Sequence, residues 1–217
     1  RYLTPRMQDL TPYTPGEIPR KRNVLKLNTN ENPYPPPAAV LEAIRHASED
    51  LQLYPDPCCL ALRRAAAEYY GLEPDQVMAG NGSDENLFFA LRAFCDGDHP
   101  LARPDVTYGC YGVWCDLMHI PQQIIPLEKD LTLDPARYHG LGVTIVIANP
   151  NAPTGLALPA AAIGEIAAAN PNNVVIVDEA YVDFGAESCV PLIREHENLL
   201  VVQTFSKSRQ MAGARLG

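Results

Sequence analysis

Apolar positions alternate between two spacings along most of this chain. Val40, Leu41, Ile44 and Ala47 recur at helical intervals, and Leu60 to Tyr70 predicts a second helix. Gln76–Gly80 reads as a short strand, and Asn81-Gly82-Ser83-Asp84 turns from it into a helix over Glu85–Phe94. That helix has Leu87, Phe88, Leu91 and Phe94 as its apolar face. Tyr108 to Met118 predicts another helix with its lead-in, and Gln123–Leu127 a weak strand. Gly142–Ala148 is an unbroken apolar run, the pattern of a strand covered on both faces. Pro159–Ala169 is alanine-rich and helical, with Pro159 suited to a first turn. Val174–Val177 and Leu199–Gln203 predict two more buried strands.

Strand and helix in alternation imply an α/β fold with a mainly parallel sheet. Prolines crowd residues 1–37, which predicts an extended arm ahead of a large domain over 38–217. The 217 residues suffice for one large domain or a domain plus arms. A net charge of -9 argues against a nucleic-acid partner. No apolar run approaches membrane-span length and no leader peptide is evident, so the expected compartment is the cytoplasm. Six scattered cysteines match no zinc spacing and read as reduced structural thiols, and the five histidines form no His-x-x-x-His pair, so no metal is expected.

Chemistry concentrates where the predicted strands end, the edge at which open α/β sheets collect ligands. The last strand delivers Lys207 into Thr204-Phe205-Ser206-Lys207-Ser208-Arg209, a loop of small and hydroxylated residues with Arg215 a little further on. Desolvation and neighbouring cations favour a neutral lysine, a nucleophile able to form a Schiff base with an aldehyde. Ser206 and Arg215 suit a phosphate. Aldehyde and phosphate together describe pyridoxal 5'-phosphate. A lysine in a polar surface loop is the plain alternative.

Four more segments weigh against that alternative. Gly80-Asn81-Gly82-Ser83-Asp84 opens a helix, so the N–H groups of Ser83 and Asp84 can hold a phosphate, although Ser83 also suits a simple helix cap. Tyr108 can stack on a flat heteroaromatic ring or pack on the core. Asn151 and Thr154, in Asn149-Pro150-Asn151-Ala152-Pro153-Thr154-Gly155, can face a ligand from a rigid turn. Asp178 ends a buried strand, where a carboxylate needs a cationic partner such as a protonated pyridine nitrogen, and Tyr181 lies near enough to reach that ring's phenolic oxygen.

The segments Leu25–Pro33, Leu53-Tyr54-Pro55-Asp56, Gly82–Glu85, Asn151–Gly155, Asp178–Tyr181 and Ser206-Lys207 run in the order of a known family. The chain resembles the pyridoxal-phosphate aminotransferases of the aspartate-aminotransferase fold, and within them the histidinol-phosphate aminotransferases. The resemblance implies a three-layer α/β/α domain. It makes Lys207 the Schiff-base and proton-transfer lysine, Asp178 and Tyr181 the partners of the pyridine nitrogen and phenolic oxygen, and Tyr108 the stacking ring. Ser83, Asp84, Ser206 and Arg215 match the phosphate cradle. Tyr54 matches a residue that reaches the cofactor of a neighbouring subunit, implying a homodimer, and Tyr13 an arm residue near substrate. The implied reaction moves an amino group between L-histidinol phosphate and 2-oxoglutarate in histidine biosynthesis. Alternatives are an aromatic or other aminotransferase, a phosphothreonine-type decarboxylase and a non-catalytic fragment.

Two departures from the family pattern stand out. Ala152 occupies the place of an asparagine that bonds the phenolic oxygen. The chain also stops at Gly217, where members of the family continue into the rest of the large domain, a small domain and the arginine for the substrate carboxylate. A fragment of this kind is expected to bind the cofactor weakly.

Overall fold

The structure, a computed structural model, describes residues 2–8, 10–11, 13–14, 16–17 and 24–217. Five parallel strands build one sheet in the order β2-β1-β3-β4-β5. They are β1 (Leu101–Pro104), β2 (Gln122–Ile125), β3 (Thr144–Ala148), β4 (Val175–Asp178) and β5 (Leu199–Val202). The helices are the short turn α1 (Pro5–Gln8), then α2 (Ala38–Ala47), α3 (Leu60–Tyr70), α4 (Ser83–Phe94), α5 (Cys110–Met118) and α6 (Ala160–Ala169).

Successive strand residues point to opposite faces, and each face has its own core. Ala102, Ile145, Ile147, Val175, Val177 and Leu199 pack against Ile163, Ile166 and Ala167 of α6. Leu101, Val146, Ile176 and Val202 pack on the other side, against Leu87 and Leu91 of α4 and Tyr111 and Cys115 of α5. The result is the α/β/α layering that the alternation implied. β3 and β4 are buried throughout, which explains their unbroken apolar sequences.

Residues 76–80 form no strand. Pro74–Gln76 is a turn of 3-10 helix, and the extended stretch after it has a single short pairing, Gly80 with Gly217 through bonds of 2.9 and 3.2 Å. β1 was not legible as a strand, since Arg103 and Pro104 interrupt its apolar character. Pro159 sits one position ahead of α6, as its N-cap. α2 has no buried residue.

Parallel strands place all their carboxyl ends on one edge. The pairs Ala148 with Asp178 and Asp178 with Val202 align those ends, so the loops after β3, β4 and β5 lie side by side.

Candidate active site

Along that edge runs a cavity of about 370 Å³. Lys207, Ser83, Asp84, Tyr108, Asp178, Tyr181, Ser206 and Arg215 all line it. Eight residues read separately from three strand-end segments and a helix start therefore share one space.

At one end is an anion cradle. Gly82 precedes α4 with φ +82° and ψ 167°, a conformation close to glycine-only, and no side chain caps the helix. The carboxylate of Glu85 instead accepts from the Asn81 N–H at 2.6 Å, outside the helix. Arg215 bends over this turn: a methyl group added to Gly82 would lie 2.6 Å from its guanidinium. The same guanidinium donates to Ser206 Oγ at 3.4 Å and to the carbonyl of Ala212 at 3.1 Å. A helix N-terminus, a hydroxyl and an arginine thus converge, an arrangement whose chemistry suits an anion.

Asp178 forms the floor. It is buried, and desolvation pushes its carboxyl up to about 6. The phenol of Tyr111 donates to Oδ2 at 2.6 Å and the Ala180 N–H donates to Oδ1 at 3.1 Å, both favouring the ionised form but outweighed by burial. Such a carboxylate is completed by a cationic partner. Its neighbour Glu179 is buried for a different purpose. It accepts from Ser188 Oγ at 2.8 Å, Cys189 N at 2.5 Å and Gln203 Nε2 at 2.7 Å, tying three loops together beneath the site.

Tyr108 forms a side wall. Its hydroxyl donates to Asp84 Oδ1 at 3.1 Å, and its ring meets Tyr111 and Trp114 edge-on at 5.5 and 6.3 Å. Burial raises its hydroxyl pKa, keeping the ring neutral. Lys207 Nζ lies 5.6 Å from the Tyr181 ring centre and donates to the carbonyl of Thr29 at 3.0 Å.

A scan of family models matches residues 22–217 to aminotransferase class I and II. The chain belongs to that family. Histidinol-phosphate aminotransferase 1 of Bradyrhizobium diazoefficiens is 51% identical over the whole chain, and histidinol-phosphate aminotransferase of Acetobacter pasteurianus 53%. The chain spans 62% and 61% of their lengths. Among solved structures, histidinol-phosphate aminotransferase from Sinorhizobium meliloti, in complex with pyridoxal-5'-phosphate, superposes with a TM-score of 0.79 at 27% identity, over 87% of this chain and 53% of that one. L-threonine-O-3-phosphate decarboxylase from Porphyromonas gingivalis, at 20% identity, TM-score 0.73 and coverage of 82% and 54%, shares the fold.

Within this aminotransferase chain, two expected site residues stand apart from the cavity. Tyr13 is half-exposed and Tyr54 wholly exposed, and neither is among the lining residues. Asn151 faces the scaffold instead of a ligand. It accepts from Thr107 Oγ1 at 2.8 Å and donates to the Val106 carbonyl at 2.9 Å, joining the loops after β1 and β3. Thr154 accepts from the Leu156 N–H at 3.3 Å and is likewise off the cavity. Ala152 does line it, presenting a methyl group.

Sequence reasoning missed Tyr111, held back by its resemblance to any core aromatic. It also gave no role to Thr29 and Glu31, which line the cavity, or to Asn30, although the motif containing them stood out.

Proposed function

We propose that this chain carries the cofactor-binding part of a pyridoxal-phosphate aminotransferase exchanging an amino group between L-histidinol phosphate and 2-oxoglutarate. The observation that supports it most is the shared cavity: an amine, a buried carboxylate and an anion cradle line one space of about 370 Å³. The names of relatives at 51% and 53% identity support the choice of amino donor.

The residues fit the cofactor group by group. The turn at Gly82 leaves room that a Cβ would fill, and beside it Ser206, Arg215 and the first N–H groups of α4 are suited to the phosphate. Asp178, costly to bury as an anion, suits the protonated ring nitrogen and keeps that proton in place. Tyr108 supplies a flat apolar face, and the Tyr181 hydroxyl suits the phenolic oxygen. When bound, pyridoxal phosphate supplies an aldehyde carbon and an electron-withdrawing ring. Lys207 Nζ would be the amine that holds the group and the base that moves the proton at the substrate α-carbon. Thr29 and Glu31 line the same cavity from the arm. Tyr54 is fully exposed and does not line its own cavity, consistent with service to a second copy in a homodimer.

The full-length protein with pyridoxal phosphate, L-histidinol phosphate and 2-oxoglutarate is expected to form glutamate. Lys207→Ala is expected to abolish both turnover and the visible absorbance of lysine-bound cofactor. Turnover without a keto-acid acceptor, or an unchanged spectrum in Lys207→Ala, overturns the assignment.

A further inference from the structure

The arm lines part of the cavity and has four consecutive residues engaged. Thr29 and Asn30 are both left-handed, at φ 61° and 54°. Asparagine tolerates that conformation and a β-branched threonine resists it, so tertiary contacts hold the segment there. The carbonyl of Thr29 accepts from Lys207 Nζ at 3.0 Å. Asn30 Nδ2 donates to the Tyr181 hydroxyl oxygen at 2.9 Å. Glu31 pairs with Lys26 at 2.6 Å while lining the cavity, and Asn32 Nδ2 donates to the Ser208 carbonyl at 3.3 Å. The arm thus contacts Tyr181 and Lys207 of the cavity lining and Ser208 beside it.

The sense of the Asn30 bond matters. Asn30 donates, so the phenolic hydrogen of Tyr181 stays available to the cavity. A donor at the phenol oxygen polarises the O–H and strengthens its own donation. On the same cavity Ala152 has no polar group to offer. We propose that Asn30 is a positioning residue: through Tyr181 it sets how readily the cofactor bound at Lys207 takes up a proton. The proposal rests on the pyridoxal-phosphate reading above.

The other charged or titratable groups lining the cavity are Glu31 from the arm, Asp84 from α4, Tyr108 from the loop before α5, Asp178 from β4 and Arg215. Replacing Asn30 leaves all of them in place. The test is a spectrophotometric pH titration of the lysine-bound cofactor band in the full-length holoenzyme. Wild type is compared with Asn30→Ala, Asn30→Asp, Tyr181→Phe and the Asn30→Ala/Tyr181→Phe pair.

A stronger donor at the ring oxygen favours the unprotonated form, so its loss raises the midpoint. Asn30→Ala is expected to raise it by about half a pH unit, the scale of one modest hydrogen bond. Asn30→Asp is expected to raise it further, since a carboxylate draws the Tyr181 proton to itself. In the Tyr181→Phe background, Asn30→Ala is expected to move nothing. An unmoved midpoint in Asn30→Ala and Asn30→Asp, or an equal shift with and without Tyr181, overturns the role of Asn30. A wild-type protein with no such band overturns the cofactor reading instead.

Discussion

A glycine with no side chain decides the geometry of the anion cradle. At φ +82° and ψ 167° Gly82 occupies backbone territory that costs other residues roughly 1–3 kcal/mol. A Cβ there also collides with Arg215 at 2.6 Å. Gly82→Ala is therefore expected to weaken pyridoxal-phosphate binding about tenfold or more, about 1.4 kcal/mol per tenfold, while the sheet stays folded. Equilibrium titration of cofactor fluorescence, with circular dichroism as the fold control, measures both. Undiminished affinity places the phosphate elsewhere.

Asp178 carries the opposite burden, a charge kept out of water ahead of its partner. Its folded pKa is raised from 3.8 to about 6. The folded state therefore holds this proton more tightly than the unfolded state does. The associated stability is fully present below about pH 4 and is lost as pH rises through 6, amounting to about 3 kcal/mol at 1.36 kcal/mol per pKa unit. Asp178→Asn removes that loss and keeps an oxygen for Tyr111. The cofactor-free variant is expected to gain stability over wild type at pH 7.5 and to show little gain at pH 4, while losing cofactor affinity. Urea midpoints at the two pH values provide the check, and an equal difference at both removes burial of the charge as the cause.

Elements differ in how far their own sequence declares them. Thr144–Ala148 and Val175–Asp178 are buried on both faces, so an unbroken apolar run was sufficient signal. Leu101–Pro104 gave no such signal. Arg103 lies in the strand because its Nε donates to Gln122 Oε1 at 2.8 Å on the neighbouring β2, a partner defined only in the folded sheet. Gln76–Gly80 shows the reverse, an apolar pattern whose strand-like pairing among the described residues is limited to Gly80 with Gly217. The site followed the same rule. Lys207 and Asp178 were legible because unusual chemistry sat at strand ends, and the Gly82 turn because a glycine pair opened a helix. Tyr111 and Asn30 act through bonds spanning 67 and 151 residues, which no local pattern contains. Helix α6 is where pattern and packing agree best, with Ile163 and Ile166 fully buried on its sheet-facing side. Ile163→Ala is expected to destabilise the protein by about 2–5 kcal/mol, read from the urea midpoint, whereas a similar truncation of Ile44 on exposed α2 in the isolated chain is expected to have little effect.

At the scale of the whole molecule, that exposed helix belongs to a wider uncovered surface. Leu41 and Ile44 of α2 continue into Leu51, Leu53 and Tyr54, whose relative exposures are 80%, 64% and 102%. Apolar side chains concentrated in this way mark a surface that another molecule covers. On the proposed homodimer a second copy is the occupant, and the Tyr54 hydroxyl would then have a neighbouring cradle to reach. The two halves of this reading separate by mutation. In the full-length protein, Leu51→Asp with Leu53→Asp is expected to shift a dimer toward monomer in sedimentation equilibrium and to speed cofactor loss. Tyr54→Phe removes only a hydroxyl, so it is expected to leave the dimer intact and still speed cofactor release about tenfold or more, the value of one hydrogen bond to a charged group. If Tyr54→Phe releases cofactor at the wild-type rate while the aspartate pair dissociates the dimer, the apolar surface is an interface and Tyr54 is only part of its packing. If neither change alters assembly or cofactor retention, the exposed stretch meets some other part of the protein, and each cradle is complete within one chain.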